Sequence, residues 1–198
     1  VSDEVASCVT LKGITAEYLL HRAYPVKKGD KVLYHAAAGA LGQILCPWAN
    51  SIGAEIIGTV GSRVKEKIAK KNGCHHVINY TDKNFVEEVE KIVGKNGIDV
   101  VYDGVGLKTF EGSIEVLKIR GMMVAFGNAS GYVDTIDVKK HINAKGLFFT
   151  RPSIAHYTIE REELLESAKK VFDAVLSGKF KIETVSYTHL TLPTITEV

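Results

Sequence analysis

Cysteine is scarce in this chain. Its three cysteines, Cys8, Cys46 and Cys74, are odd in number and show no C-x-x-C spacing. That speaks against both a disulfide framework and a thiolate zinc cluster, and reduced, mostly buried thiols are expected. Long apolar runs are missing too. None reaches the ~20 residues of a membrane-spanning helix, and residues 1–10 lack the basic start and apolar stretch of a secretory signal. A cytoplasmic protein with no membrane partner is expected. An excess of charge is equally absent: 25 Lys and Arg against 23 Asp and Glu leave a net charge of +2, and no basic stripe marks a nucleic-acid partner. No metal site is expected either. Cys74-His75-His76 lacks a fourth ligand, and neighbouring positions on a strand point to opposite faces. Tyr24 and Lys28 have the spacing of a reductase Tyr-x-x-x-Lys pair, but they straddle Pro25 and precede the first strand, which marks a coincidence. No catalytic residue is assigned.

What the chain does have is a strand that runs straight into a glycine-punctuated turn and then an apolar helix. Residues 32–42 read Val-Leu-Tyr-His-Ala-Ala-Ala-Gly-Ala-Leu-Gly. In the G-x-G-x-x-G pattern Ala37 stands first, Gly39 second and Gly42 third, where a small residue lets the helix lie close on its strand. Without a Cβ, Gly39 lets a pyrophosphate approach the amides at the helix N-terminus, the positive end of its dipole. A tight strand-to-helix turn of any α/β protein could show the same glycine spacing, so the next strand matters.

That strand, residues 55–60, follows a helix at 43–51 and a turn at Gly53, the spacing of one βαβ unit. NAD sites usually place an Asp or Glu about 20 residues beyond the glycines, to accept from the ribose 2′-hydroxyl. Here the sequence is Val60-Gly61-Ser62-Arg63-Val64-Lys65. No carboxylate repels a 2′-phosphate, and Ser62, Arg63 and Lys65 offer donors and positive charge at a helix N-terminus. The pattern favours NADPH over NADH. Lys67, Lys70 and Lys71 read as the solvated face of that helix.

Strand and helix signals continue to alternate: strands at 76–80, 98–103, 122–126 and 147–150, helices at 84–93, 109–117 and 161–176. This predicts an α/β fold, a doubly wound parallel sheet with helices on both faces. Tyr80, Gly104 and Phe126-Gly127-Asn128 then fall on its carboxyl edge, where ligands bind in open sheets. No internal repeat or linker divides the first 180 residues.

With these stretches in hand, the chain resembles the quinone oxidoreductases, or zeta-crystallin-like proteins, of the medium-chain dehydrogenase/reductase superfamily. The likeness is carried in order by residues 11–20, the turn at 36–42, Gly58-Thr59-Val60-Gly61-Ser62, Val77-Ile78-Asn79-Tyr80, residues 100–106, residues 121–128, and Thr150-Arg151-Pro152-Ser153 with His156-Tyr157. It implies a Rossmann NADPH-binding domain over residues 1–184. By resemblance Ala38, Gly39, Ala40 and Leu41, closed by Gly42, follow the pyrophosphate; Gly61, Ser62 and Lys65 take the 2′-phosphate end. Tyr80 lies on the adenine side, and Gly104, Phe126, Gly127 and Asn128 on the ribose and nicotinamide side. The implied activity is zinc-independent hydride transfer from NADPH to a quinone or an activated alkene (enone), which asks mainly for orientation and exclusion of water. A homodimer joined through residues 144–151 is also implied.

The chain departs from the family pattern in three places. The turn reads Gly39-Ala40-Leu41-Gly42 where the family has Gly-Gly-Val-Gly. Nothing before Val1 corresponds to the family's GroES-like catalytic domain, so the chain is expected to be a fragment, inactive by itself. Residues 185–198, rich in Thr, abandon the pattern and read as a non-family, vector-like tail. A non-catalytic nucleotide-binding module is the alternative.

Overall fold

The computed structural model describes residues 1–182; the tail expected at 185–198 lies outside the described residues. Six strands form one sheet in the order β3-β2-β1-β4-β5-β6: β1 (Lys31–Tyr34), β2 (Glu55–Val60), β3 (His76–Asn79), β4 (Ile98–Asp103), β5 (Leu117–Ala125) and β6 (Phe148–Thr150). Every pairing is parallel. Helices α2 (Gly42–Ile52), α3 (Arg63–Lys71), α4 (Phe85–Val93) and α5 (Phe110–Val116) cross between successive strands, and α6 (Arg161–Leu176) follows the last. The doubly wound parallel sheet read from the sequence is the one found.

Burial on both faces accounts for the continuous apolar runs. Tyr34, Ile56, Val100, Tyr102 and Val124 point into one core, shared with Trp48 of α2 and Val171 of α6. The alternate residues Leu33, Ile57, Val101 and Met123 point into a second core against Val89 of α4 and Phe110 and Ile114 of α5. β4, central in the sheet, is buried along its whole length. No helix among the described residues is long and apolar enough to cross a membrane.

Ahead of β1 stands α1 (Asp3–Tyr18), started by Ser2, whose side chain accepts from the Val5 amide, and by Asp3 and Glu4 in its first turn, where carboxylates suit the helix dipole. It loosens into a π turn over Leu19–Ala23 and stops ahead of Pro25. Gly13 is where α1 crosses α6: a Cβ there would lie 2.5 Å from a Val171 methyl. Nearby the fully buried Glu17 carboxylate accepts from Ser167 of α6 at 2.7 Å and pairs with Arg22 and Lys170. The Tyr102 hydroxyl donates to the Leu19 carbonyl at 2.8 Å, fastening the π turn to the sheet.

β5 begins earlier than its apolar run at 122–126, and α5 ends one residue short of the expected 117. Lys145 donates from its ammonium to the carbonyls of Ile114, Glu115 and Leu117, which satisfies the end of α5. Its backbone carbonyl accepts from the Arg120 amide. Arg120 itself is left-handed, φ 61°, and the register against β4 shifts here, so residues 118–120 bulge outward before the buried part of the strand starts.

Candidate functional site at the carboxyl edge of the sheet

The strand order reverses direction of travel between β1 and β4, and the crevice outside their carboxyl ends is the position at which open α/β sheets receive ligands. Three loops line it.

The first follows β1. Ala36 is left-handed with φ 61°, so the sharp bend falls one residue ahead of Ala37, the position matched to the first glycine of the pattern. Ala37 is buried, and its amide donates to the Thr59 carbonyl at 3.0 Å, tying the turn to β2. Gly39 and Ala40 are exposed, Ala38 half-buried, and Leu41 buried beneath them. Gly42 opens α2, and a Cβ on it would stand 2.2 Å from the Ala37 carbonyl oxygen. Only glycine fits there. At Gly39 the nearest obstacle to a Cβ is the Ala36 carbonyl at 3.1 Å, so its absent side chain serves the exposed surface more than internal fit. At the start of α2 the Gln43 amide donates to the Gly39 carbonyl at 3.1 Å and the Ile44 amide to the Leu41 carbonyl at 3.0 Å, which knits the turn to the helix.

The second loop follows β2. Ser62 caps α3, its hydroxyl accepting from the Lys65 amide at 3.4 Å, which leaves the hydroxyl proton free to donate. Lys65 and Arg63 are exposed on the first turn. Tyr80, just past β3, has its hydroxyl close over Gly61: a Cβ on Gly61 would lie 2.6 Å from it. Gly61, Ser62, Lys65 and Tyr80 thus share one surface. A carboxylate does stand at its rim, on a loop the sequence pattern did not single out: Asp82 accepts from the Asn79 side-chain Nδ2 at 3.1 Å and lies 3.9 Å from the Arg63 guanidinium.

The third group follows β4 and β5. Gly104 lies under the Phe126 ring, which a Cβ would meet at 3.0 Å, and a Cβ on Gly127 would meet the Gly104 carbonyl at 2.5 Å. The two loops touch backbone to backbone. The ring of Phe126 lies parallel to that of Tyr34, centroids 6.3 Å apart. Asn128 turns the chain back, its carbonyl accepting from Gly131, while the Ala129 amide donates to Gly104.

Beneath these loops lies a polar network that the strand pattern did not reveal. Asp103, at the end of β4, is fully buried. One carboxylate oxygen accepts from the amides of Val105 and Gly106 at 2.7 and 2.9 Å, and the other from the Thr109 hydroxyl at 2.7 Å. His35, at the end of β1, meets the Thr59 hydroxyl through Nδ1 at 2.8 Å and the Ser113 hydroxyl through Nε2 at 2.9 Å. Burial pushes the imidazole below the ordinary histidine range, with Asp103 pulling the other way. The sequence signal was present: a histidine between apolar strand residues and the turn.

A zinc ion has no fitting site here. Among the described residues no group of three or more His, Cys, Asp or Glu side chains could hold a metal ion. Cys46 is held well above the ordinary thiol range by its hydrogen bond with Cys74 and by burial, and thiolate is the ligating form.

The family model described as zinc-binding dehydrogenase matches residues 40–176. The chain is 50% identical over 169 residues to a 2-haloacrylate reductase from Burkholderia sp., covering 85% of this chain and 51% of that protein. It is 44% identical over 184 residues to quinone oxidoreductase 1 of Escherichia coli, covering 92% of this chain and 56% of that one. The crystal structure of the E. coli quinone oxidoreductase complexed with NADPH superimposes with a TM-score of 0.88 at 43% identity, over 93% of this chain and 57% of the other. The chain thus spans about half the length of the relatives it matches. With this sheet, this turn and this family match, it belongs to the zinc-binding dehydrogenase family.

Proposed function

We propose that the chain binds NADPH along the carboxyl edge of its sheet and is the nucleotide-binding part of a reductase of quinones or other activated alkenes. The observation that carries this reading is the pairing of a glycine-only helix start at Gly42 with the Ser62-capped first turn of α3, where Arg63 and Lys65 are exposed beside Glu66. Anions are favoured at both helix N-termini. In this reading Ala38, Gly39, Ala40 and Leu41 follow the pyrophosphate, Ser62 and Lys65 take the 2′-phosphate beside Gly61, and Tyr80 faces the adenine. Gly104, Phe126, Gly127 and Asn128 flank the nicotinamide half. The bound cofactor supplies a hydride from C4 of its nicotinamide; the chain supplies position and one wall against water. The acceptors in the names of the relatives, a quinone and a 2-haloacrylate, are both alkenes conjugated to a carbonyl group, which supports that acceptor class.

Two further parts belong to the reading. Among the described residues β6 is hydrogen-bonded on one side alone, to β5, and Phe148 on it is 56% exposed. We infer a homodimer through residues 144–151, since an open apolar edge recruits a partner strand. The protein is assigned to the cytoplasm because Cys46 and Cys74 lie together unlinked, as suits a reducing compartment.

Calorimetric titration of NADPH and NADH tests the cofactor. NADPH is expected to bind more tightly, and Lys65→Ala to remove most of the difference, about tenfold to a hundredfold for a charge-assisted contact to phosphate. Equal affinities in the parent chain would overturn the assignment.

A further inference from the structure

The proton arrangement around His35 follows from its partners. Ser113 has a single hydroxyl proton, and its donor contacts are the Thr109 carbonyl at 2.7 Å and, farther off, an Asp103 oxygen at 3.5 Å. Either use leaves its oxygen as an acceptor, so His35 Nε2 carries the hydrogen that meets it at 2.9 Å. With the ring neutral, Nδ1 is then an acceptor and the Thr59 hydroxyl is its donor. The chain of bonds has one direction: Thr59 to His35, His35 to Ser113, Ser113 to the Thr109 carbonyl, with the Thr109 hydroxyl donating to Asp103.

Its two ends reach different halves of the carboxyl edge. At one end the Thr59 carbonyl accepts the Ala37 amide and so holds the turn after β1. At the other, Asp103 holds the amides of Val105 and Gly106 and so holds the loop after β4. The Phe85 ring closes the remaining side of the imidazole edge-on, centroids 5.1 Å apart, and keeps water from substituting for either partner. We propose that His35, as its Nε2–H tautomer, is a positioning residue that locks the pyrophosphate turn and the nicotinamide-side loop into one rigid cradle. This rests on the NADPH reading of the edge for its consequence, though not for the coupling itself.

The coupling is read in the ligand-free chain by amide hydrogen exchange and by nitrogen NMR of labelled histidine. His35 is expected as the Nε2–H tautomer. Ser113→Ala strands a buried donor, and it should speed exchange at both Ala37 and Gly106 by about tenfold. Thr59→Val should do the same from the other end, while Thr59→Ser, which keeps the hydroxyl, should restore the parent rates. For ligand binding, Ser113→Ala should weaken NADPH about tenfold and leave adenosine 2′-monophosphate, which engages the α3 end alone, unchanged. An Nδ1–H tautomer, or exchange quickened on one side alone, overturns the coupling. NADPH affinity unchanged by Ser113→Ala in a parent that binds it overturns the positioning role. A parent that does not bind NADPH refutes the function proposed above, and the exchange and tautomer measurements still decide the coupling.

Discussion

At Gly42 a methyl group would have to share space with the Ala37 carbonyl, 2.2 Å from its oxygen, and neither atom sits on a flexible side chain. At Gly39 the corresponding distance is 3.1 Å, and the position is open to solvent. The two glycines of one motif therefore answer to different constraints, the first to the closeness of helix and strand, the second to what approaches from outside. Gly42→Ala is expected to cost about 1 to 3 kcal/mol, as overpacking does, lowering the melting temperature by about 2 to 4 °C per kcal/mol for a chain of this size. Gly39→Ala is expected to melt close to the parent but to bind NADPH more weakly, its methyl standing where the phosphates would approach. Thermal melts beside calorimetric titrations of both variants check this; equal destabilisation of the two would show that the turn has no such division.

Among the elements, the strands of the central sheet were legible because each is buried on both faces and bounded by glycine or turn residues: β1, β2 and β4 each carry a short apolar run, Val32 to Tyr34, Ile56 with Ile57, and Val100 to Tyr102. The start of β5 was not, because Lys118, Ile119 and Arg120 are exposed and Arg120 takes a left-handed backbone that an arginine gives no reason to expect. Ala36 escaped for the same reason. The helix α1 left little trace, since it buries Gly13 and Glu17 along with its apolar residues, and a buried carboxylate reads as surface until Ser167, Arg22 and Lys170 are brought to it by α6. In the candidate site the backbone positions were legible from glycine spacing, whereas the network of His35 and Asp103 was not, since His35 finds its partners on β2 and α5 and Asp103 finds its own in the turn of the loop that follows it. Among the described residues β6 is an element whose pairing is incomplete. Phe148→Lys, placing a charge on its open edge, is expected to convert the proposed homodimer into a monomer without loss of fold. Light scattering with circular dichroism reads both, and a parent that is already monomeric at high concentration would overturn the interface.

At the scale of the whole molecule, two histidines tie stability to pH. Burial lowers both His35 and His21 from the ordinary value of 6.5. Below that value the unfolded chain takes up protons that the folded one refuses, so the unfolded state binds more and stability rises with pH through this window. The stabilisation is present in full above about 6.5 and is lost as pH falls toward the lower folded values, with a slope of at most about 1.4 kcal/mol per pH unit for each histidine. Urea midpoints measured between about pH 8 and about pH 5 should show it, and His21→Gln should lessen the slope; a flat profile over that range would mean that neither ring is held neutral.

Turnover is the last property to belong to the molecule rather than to any part of it. The loops after β4 and β5 supply one wall of a cleft, with Phe126 set parallel to Tyr34 behind it, while beyond Asn128 the chain is open, Ala129 exposed and Tyr132 68% exposed. Orientation of an acceptor against the nicotinamide, and exclusion of water from between them, require a second surface facing that wall. In the proposed binding mode the adenosine and pyrophosphate half draws on the α2 start, Lys65 and Tyr80, which do not depend on one. These 198 residues are therefore expected to retain NADPH chiefly through its adenosine half and to oxidise it with a simple benzoquinone at well under about 1 per second. The assay runs against a protein-free control, because quinones oxidise NADPH unaided. Enzyme-like turnover by this polypeptide would mean that the wall formed by Gly104 and Phe126–Asn128 is sufficient by itself, and that the acceptor is held by residues of the sheet edge assigned here to the cofactor.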